Sequence, residues 1–308
     1  MAGVGESAVQ HPLVSVCVTT YNHRKFIGTC LDSVLAQETD FDFEIVLGED
    51  ESSDGTREIC SRYANELPRR IRLLLGSRQD VLCFAGKPTG QWNFLRTLGS
   101  ARGEYIALVD GDDYWSDWSK LQQQVDLLER RPQSSGCFHA CRVEYEDGST
   151  GPDRLAPPRG RRLFTIEDIL DRNFVPTSSL VFRRAGLDLP PELWRLPMGD
   201  WPLHLLNLIR GPYEYLDCEM GVYRVHSGGS WSQLARSQRL EGSLAFFDFA
   251  AGQLGPEYAE IIRRKRRAYR FRASRLARWS RPLRKMLRLR SRLSRLSVSK
   301  SAPSRAGD

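Results

Sequence analysis

The sequence predicts an α/β fold, in which helices flank a mostly parallel sheet, with a basic helical tail at the C-terminal end. Short apolar runs rich in β-branched residues alternate with segments of helical periodicity, the order expected when crossover helices join parallel strands. Basic residues crowd the last part of the chain. Residues 261–308 hold 18 of the 45 Lys and Arg residues but one of the 38 acidic residues, so residues 1–260 carry 27 basic and 37 acidic side chains.

The predicted strands are apolar runs bounded by turn residues. The first follows a leader, residues 1–12, that is expected to be disordered. Strands are predicted at residues 13–20, 43–47, 71–75, 105–109, 137–145 and 178–183, with one or two more within 213–225. The stretch 147–162 is rich in Gly, Pro and Arg and predicts a mobile loop.

The predicted helices show a repeating apolar face or a clear start and stop signal. In the first helix, Ile27, Leu31 and Val34 share one face, and Pro68 ends the second helix. Helices are predicted at residues 26–37, 56–67, 92–100, 120–130, 165–171, 201–209, 234–251 and from 257 onward.

Composition excludes several classes of protein. No apolar run approaches the roughly 20 residues that a membrane span needs, and the N-terminus has no pattern of a signal peptide. A cytoplasmic location is therefore expected.

Seven scattered cysteines predict reduced thiols rather than a disulfide framework. Cys137, His139 and Cys141 suggest zinc, but no second Cys/His pair at metal spacing accompanies them, so buried free thiols are the preferred interpretation.

Three carboxylates follow the strand at residues 105–109. Asp110, Asp112 and Asp113 lie within four residues of one another, where like charges repel unless a cation joins them. Oxygen-rich clusters suit Mg²⁺ or Mn²⁺, and ligands of open α/β sheets bind past the carboxyl ends of strands. The alternative is an acidic turn that caps the next helix.

Three stretches in order, with a later fourth that looks like a bacterial branch of the family, resemble family 2 glycosyltransferases of the GT-A fold over residues 13–232. They are VSVCVTTYN, FEIVLGEDESSDGT, GEYIALVDGDDYW and the later GDWPLHLLNLIRGPYEYLDCEMGVYRVHSGGSWS. The resemblance implies a catalytic domain at 13–260, with a nucleotide-sugar half at 13–130, an acceptor half at 131–232 and a helical extension to 260. The basic tail, helical or disordered, then covers residues 261–308.

The first two motifs imply a nucleotide site. Thr19, Tyr21 and Asn22 match the strand-end segment that cradles the nucleotide, with Tyr21 suited to stacking on a base. Asp50 matches the acid that accepts a hydrogen bond from the base, as uracil N–H would provide, so a UDP or dTDP sugar is expected. Glu49 and Glu51 depart from the family pattern.

The resemblance divides the roles of the later carboxylates. Asp112 is expected to bind Mg²⁺ or Mn²⁺, with Asp110 near the ribose or in the metal shell, and the role of Asp113 stays open. Asp200 matches the catalytic base, although an N-cap is the alternative from its position alone. His226 is expected to complete the metal shell or contact phosphate. Trp201 is expected in the acceptor or sugar pocket, and Lys87 and Arg224 at the phosphates.

These residues predict an inverting glycosyltransferase that uses a nucleotide-sugar donor and a glycan or lipid-linked acceptor hydroxyl, in cell-surface polysaccharide synthesis. The alternatives are a sugar nucleotidyltransferase, whose Gly-rich loop the sequence lacks after the first strand, and an inactive binding protein that docks through its tail. For the tail, an anionic membrane surface, an acidic partner and a solubilising role remain open. Nucleic acid is less favoured because the tail lacks interleaved aromatic residues.

Overall fold

The computed structural model describes residues 11–151, 157, 160–229 and 234–275. Residues 1–10 of the predicted leader, seven of the sixteen residues of the predicted loop and the tail beyond residue 275 lie outside these residues. The strands are β1 (Val14–Thr20), β2 (Phe43–Glu49), β3 (Ile71–Leu75), β4 (Cys83–Phe84), β5 (Lys87–Pro88), β6 (Tyr105–Asp110), β7 (Tyr114–Trp115), β8 (Gly136–Tyr145), β9 (Thr150–Gly151), β10 (Leu163–Phe164), β11 (Val181–Arg183) and β12 (Tyr213–Val225). The helices are α1 (Ile27–Leu35), α2 (Thr56–Glu66), α3 (Gln91–Gly99), α4 (Lys120–Glu129), α5 (Ile166–Asp171), α6 (Asp200–Arg210), α7 (Arg236–Gln253) and α8 (259–275).

One large sheet crosses the described part of the chain in the order β10-β12-β8-β11-β6-β1-β2-β3, with β7 on β12 and β9 on β8. Strands β3, β2, β1 and β6 run parallel, as the alternation of strands and helices predicts. Strand β11 then pairs antiparallel with both β6 and β8, while β12 runs parallel to β8. The predicted α/β fold is confirmed, and its second half is a mixed sheet.

Helices cover both faces of this sheet. On one face, α1, α2 and α4 bury side chains such as Leu31, Cys60 and Val125 against the strands. On the other face, α3, α5, α6 and α7 pack around a cluster that includes Leu98, Phe138 and Phe246. Burial on both faces explains why β1 and β6 read as continuous apolar runs rather than alternating ones.

The parallel register brings three strand ends to one edge of the sheet. Thr19 on β1 lies opposite Asp110 on β6, and Thr20 lies opposite Glu49 on β2. The loops that follow these strands therefore start side by side. Ligands of open α/β sheets bind at such an edge.

Helix α8 crosses the predicted boundary between catalytic domain and tail. It is continuous from residue 259 to 275, and Ile262 is buried in the core, so the helix packs as part of the fold. The predicted boundary after residue 260 therefore falls inside a helix. Within the described residues, no helix is both long and apolar enough to span a bilayer.

Candidate active site

The turn after β6 packs tightly against the loop after β1. A Cβ on Gly111 would lie 2.7 Å from the Thr20 hydroxyl oxygen and 3.1 Å from Nδ1 of His23. Because a side chain has no room there, glycine allows the acidic turn to approach the first loop. This close approach places Asp112 beside His23, a contact that the sequence analysis did not anticipate.

Asp112 lies between two histidines. Its Oδ2 is 3.0 Å from Nε2 of His226 and 3.5 Å from Nε2 of His23. The ligand atoms of the three side chains all lie within 4.8 Å of one another. Burial alone would raise the pKa of Asp112, but the hydrogen bond to His226 and the nearby His23 ring hold it below its usual value. Burial lowers the pKa of His23, which leaves its ring neutral at pH 7.

The His226 ring has a defined hydrogen-bonding arrangement. The Gly228 N–H donates to Nδ1 over 3.2 Å, so in the neutral ring the hydrogen is on Nε2 and is donated to Asp112. Phe26 packs on the same ring, with the centroids 4.7 Å apart. The chain segment after β12 is thus attached to the acidic turn after β6.

Asp113 points to β12 and helps hold the acidic turn. Its Oδ1 accepts a hydrogen bond from the Arg224 N–H over 2.9 Å, and the Arg224 guanidinium donates to the Asp112 carbonyl over 3.0 Å. Burial, followed by the charges of Asp112 and Asp110, raises the pKa of Asp113 well above its usual value. Asp113 therefore holds the acidic turn against β12, and the Arg224 side chain contacts the backbone of the turn.

Asp110 is held by hydroxyl groups. Thr19 donates to Oδ1 over 2.9 Å, and the Thr177 hydroxyl also hydrogen-bonds this carboxyl. Burial, together with the charge of Asp112, raises its pKa to about 7, with a smaller contribution from Asp200. The predicted residues Thr19 and Asp110 thus interact directly with each other.

Asp200 is the first residue of α6, and Gly199 is its N-cap. A Cβ on Gly199 would lie 2.3 Å from the Phe94 ring on α3, so glycine permits the end of α6 to sit against α3. Asn173 donates from Nδ2 to Oδ2 of Asp200 over 2.8 Å. Burial nevertheless raises the pKa of Asp200 above its usual value.

The phenol of Tyr223 is under the electrostatic influence of all four carboxylates. Burial raises the pKa of its phenol, and the charges of Asp113, Asp112, Asp110 and Asp200 raise it further. Asp200 comes from α6 and the others from the turn after β6, about ninety residues earlier in the chain. The fold therefore joins the predicted base to the predicted metal turn.

A second group of side chains lies at the end of β2. Arg78 donates from Nη1 to Oδ2 of Asp50 over 2.8 Å, and its guanidinium lies 4.3 Å from the centroid of the Tyr21 ring. Oδ1 of Asp50 is buried and has no hydrogen-bond partner among the described residues. Burial raises the pKa of Asp50, and Arg78 opposes this effect. An unpaired buried acceptor is costly, so this oxygen is suited to a ligand donor.

Asn22 and Glu49 shape the loops around this group. Asn22 adopts the left-handed conformation, φ 56°, and its side-chain oxygen accepts from the Ser53 N–H. The buried Glu49 carboxylate accepts from Arg57 and from the Ser52 N–H. The departure from the family pattern at Glu49 therefore has a structural role, since the longer side chain reaches Arg57 and the loop backbone.

Two predicted site residues lie elsewhere. Trp201 is buried in the core, where it stacks on Phe246 at 3.9 Å and donates from its indole N–H to the Ile169 carbonyl. The prediction that it lines a sugar or acceptor pocket is wrong, because helical geometry turns it away from its neighbour Asp200. Lys87 is exposed on the separate two-stranded sheet β4–β5.

The Cys137, His139 and Cys141 group does not assemble as a metal site. Cys137 hydrogen-bonds with Gln124, whereas Cys141 lies 4.0 Å from Nδ1 of His139. His23, Asp112 and His226 form the potential metal-binding group found among the described residues. Cys137 and Cys141 are both buried.

Sequence reasoning missed His23, Arg78, Asn173 and Thr177. His23 directly follows the VTTYN motif, so its position was a usable signal. Arg78 lies 28 residues after Asp50, and Asn173 lies 27 residues before Asp200. Neither has a local pattern that could have revealed its partner.

Comparison with known proteins assigns the family. A sequence model described as "Glycosyl transferase family 2" matches residues 15–187. The chain belongs to glycosyl transferase family 2. An uncharacterized Mycobacterium tuberculosis protein is 37% identical over 228 residues, covering 73% of this chain and 62% of the relative. The putative teichuronic acid biosynthesis glycosyltransferase TuaG of Bacillus subtilis is 32% identical and covers 70% of this chain and 79% of TuaG.

Solved structures show that this family 2 chain has the GT-A fold. Mannosyltransferase PcManGT from Pyrobaculum calidifontis, in complex with GDP-Man and Mn²⁺, matches with a TM-score of 0.56 at 20% identity, covering 93% of this chain and 81% of the neighbour. S. aureus TarS 1–349 matches with a TM-score of 0.58 at 18% identity, covering 85% and 73%. The chain spans only about 62% of the length of its mycobacterial relatives.

Proposed function

We propose that this protein transfers a sugar from a nucleoside-diphosphate sugar to an acceptor hydroxyl, with inversion at the anomeric carbon. The observation that supports the proposal is that Asp112 and Asp200, from two distant parts of the chain, both act electrostatically on Asp110, whose pKa burial raises and these two charges raise further. A family 2 transferase needs a place for the diphosphate and a base for the acceptor. Asp110 and Asp112 are proposed to serve the diphosphate, and Asp200 is proposed to serve as the base.

The residues around Asp112 fit a divalent cation. One carboxylate and two imidazoles offer three ligand atoms within 4.8 Å of one another. Imidazole ligands favour Mn²⁺ over Mg²⁺, which prefers oxygen ligands alone. A bound cation would supply positive charge for the departing diphosphate. Binding by Nε2 of His226 requires its hydrogen to move to Nδ1, which removes the hydrogen bond from Gly228.

Asp200 is the proposed general base. Asn173 orients one of its oxygens, and the start of α6 favours its ionised form. Burial raises its pKa toward the working pH, where a base is most effective. Inversion needs no covalent intermediate, so one correctly placed base is sufficient for the acceptor hydroxyl.

The group of Tyr21, Asp50 and Arg78 is the proposed base site. The free oxygen of Asp50 can accept the N–H of uracil or thymine, and Tyr21 offers a ring for stacking. TarS is described in complex with UDP-GlcNAc and PcManGT with GDP-Man. We propose UDP or dTDP for this chain because a single buried acceptor matches the single N–H donor of those bases.

The acceptor is proposed to be a glycan or a lipid-linked sugar in the synthesis of a cell-surface polysaccharide. Support comes from the relatives, since TuaG is named for teichuronic acid biosynthesis. Fold alone would not supply this assignment, because GT-A-like folds host several chemistries.

A donor panel tests the proposal. Purified protein is given UDP, dTDP and GDP sugars with Mn²⁺, and release of the nucleoside diphosphate is measured. Release from a uridine or thymidine donor, lost on removal of Mn²⁺ and in Asp112→Asn, is expected. The exposed Asp188→Asn is the matched control. An α-linked donor that yields β product by NMR supports inversion, whereas retained configuration contradicts it.

Two outcomes would favour the alternatives. Nucleotide binding without any transfer or hydrolysis would indicate an inactive binding protein. Formation of a nucleotide sugar from a nucleoside triphosphate and a sugar phosphate would indicate a nucleotidyltransferase.

A further inference from the structure

Helix α8 presents a basic face to solvent. Residues 259–275 contain eight Lys and Arg residues and one acidic residue, Glu260. Exposed arginines recur at spacings of three and four residues, which places them on one side of a helix. Phe271, 61% exposed, lies on the same side. The exposed residues of this face, named here the α8 basic face, are Arg263, Arg264, Arg267, Arg270, Phe271 and Arg275.

The opposite side of α8 is firmly packed. Ile262 is buried, and the Tyr269 ring lies 5.4 Å from the Phe247 ring on α7. Lys265 donates from Nζ to the Asp171 carbonyl over 2.9 Å and also pairs with the Asp171 carboxylate. These contacts fix which side of the helix faces outward, so the basic face has a defined direction relative to the domain.

Two sets of contacts connect α8 to the elements that hold Asp200. Asp171, which Lys265 contacts, lies two residues before Asn173, the hydrogen-bond partner of Asp200. Independently, Phe247 contacts both Tyr269 of α8 and Trp201, the residue after Asp200. The α8 basic face is therefore attached to the acceptor half of the protein.

We infer that the α8 basic face docks this protein on an anionic lipid surface. Charge complementarity supports that occupant, because the five arginines face outward while residues 1–260 carry net negative charge and are repelled by anionic lipid. Phe271 among the arginines provides an apolar side chain that can enter the headgroup region. Docking through α8 brings the acceptor half, rather than the β3 edge of the sheet, toward the lipid. The inference goes beyond the proposed function and does not depend on it.

Vesicle co-sedimentation of the full chain tests this inference. The probes are vesicles of phosphatidylcholine alone and of phosphatidylcholine with phosphatidylglycerol. Binding only to the anionic vesicles, weakened by added salt, is expected. The triple variant Arg263→Glu, Arg267→Glu, Arg270→Glu should lower the partition coefficient roughly 100-fold, since each basic residue near an anionic leaflet contributes about a fivefold factor. Phe271→Ala should lower it roughly tenfold.

The matched control is the triple variant Arg69→Glu, Arg102→Glu, Arg130→Glu, which changes the charge equally at exposed positions outside α8. This control should keep most of the binding, and circular dichroism melting confirms that both triple variants fold. Equal loss in both variants, or no loss in the α8 variant, overturns the inference. Binding to single-stranded RNA but not to anionic vesicles also overturns it and assigns the face to nucleic acid.

Donor hydrolysis separates this inference from the proposed function. The α8 variant should hydrolyse a soluble nucleotide sugar at the wild-type rate. If hydrolysis is absent from the wild-type protein while vesicle binding behaves as expected, the proposed function fails and the docking inference stands.

Discussion

The proposed nucleotide-sugar half, residues 13–130, and the proposed acceptor half, residues 131–232, hold their candidate functional side chains in different ways. In the first, Thr19, Asp50 and Asp110 follow or end adjacent parallel strands, and strand register alone brings them together. In the second, Asp200 begins a helix and His226 follows a long bulged strand. At a parallel sheet edge, strand register brings together residues that belong to local sequence motifs. In the proposed acceptor half, contacts between distant elements are needed to do the same.

The largest expected effect is a loss of kcat on substitution of Asp200, with donor binding left intact. Asp200→Asn should lower kcat about 1000-fold with little change in KM for the donor, because a general base contributes 10²–10⁴-fold and the nucleotide site is left intact. Steady-state kinetics measure it, with the exposed Asp188→Asn as control. A loss carried mainly by the donor KM would move Asp200 to the nucleotide-sugar half of the site.

The histidine pair tests the connection between the halves. His23→Gln and His226→Gln should each weaken Mn²⁺ binding by about 10- to 100-fold, because each removes one of three nitrogen or oxygen ligands. Isothermal titration with Mn²⁺ measures it, and the exposed His11→Gln is the control. If only His226→Gln weakens binding, His23 acts by positioning Asp112 rather than as a ligand.

The base site gives a smaller effect, confined to the nucleotide-sugar half. Asp50→Asn should weaken UDP binding roughly tenfold, because a charged acceptor for the uracil N–H is lost. CDP should lose less or gain, since the new amide can donate to the ring nitrogen of cytosine that the carboxylate disfavours. Competition titrations give the UDP-to-CDP ratio, and Asp80→Asn is the control. An unchanged ratio would remove Asp50 from base recognition.

Acid should destabilise the protein through two buried histidines. Burial lowers the pKa of His139 and of His204 to about 3, from 6.5. Between pH values of about 3 and 6.5, both histidines are protonated in the unfolded chain but neutral in the folded protein. The free energy of unfolding should therefore fall as pH drops below 6.5, by about 1.4 kcal/mol per pH unit for each histidine.

Urea unfolding at stepped pH checks this expectation. His204→Asn should reduce the dependence of the free energy of unfolding on pH by about 1.4 kcal/mol per pH unit. His11→Gln, at an exposed site, should leave this dependence unchanged. Equal slopes for the wild type and His204→Asn would show that the buried ring does not control acid stability.

Much of the fold was predictable because the strands and helices carry strong periodic signals. The bounds of β3 and the start of α4 agree with prediction, and the capping box of Thr165 and Asp168 at α5 follows from sequence spacing. Trp201 was misplaced because adjacency to Asp200 in sequence does not mean a shared direction on a helix. Its ring turns inward to Phe246 while Asp200 turns to Asn173.

The sequence by itself determined the alternating α/β architecture, the acidic turn after β6 and the family, because these depend on local patterns and motif order. Only the tertiary structure decided that Asp112 meets His23 and His226, that Arg78 pairs with Asp50, and that Lys265 of α8 contacts Asp171. Such contacts join residues far apart in the chain, and their geometry follows from side-chain packing that no local pattern encodes. The proposed metal site is thus one carboxylate between two imidazoles rather than a cluster of three carboxylates.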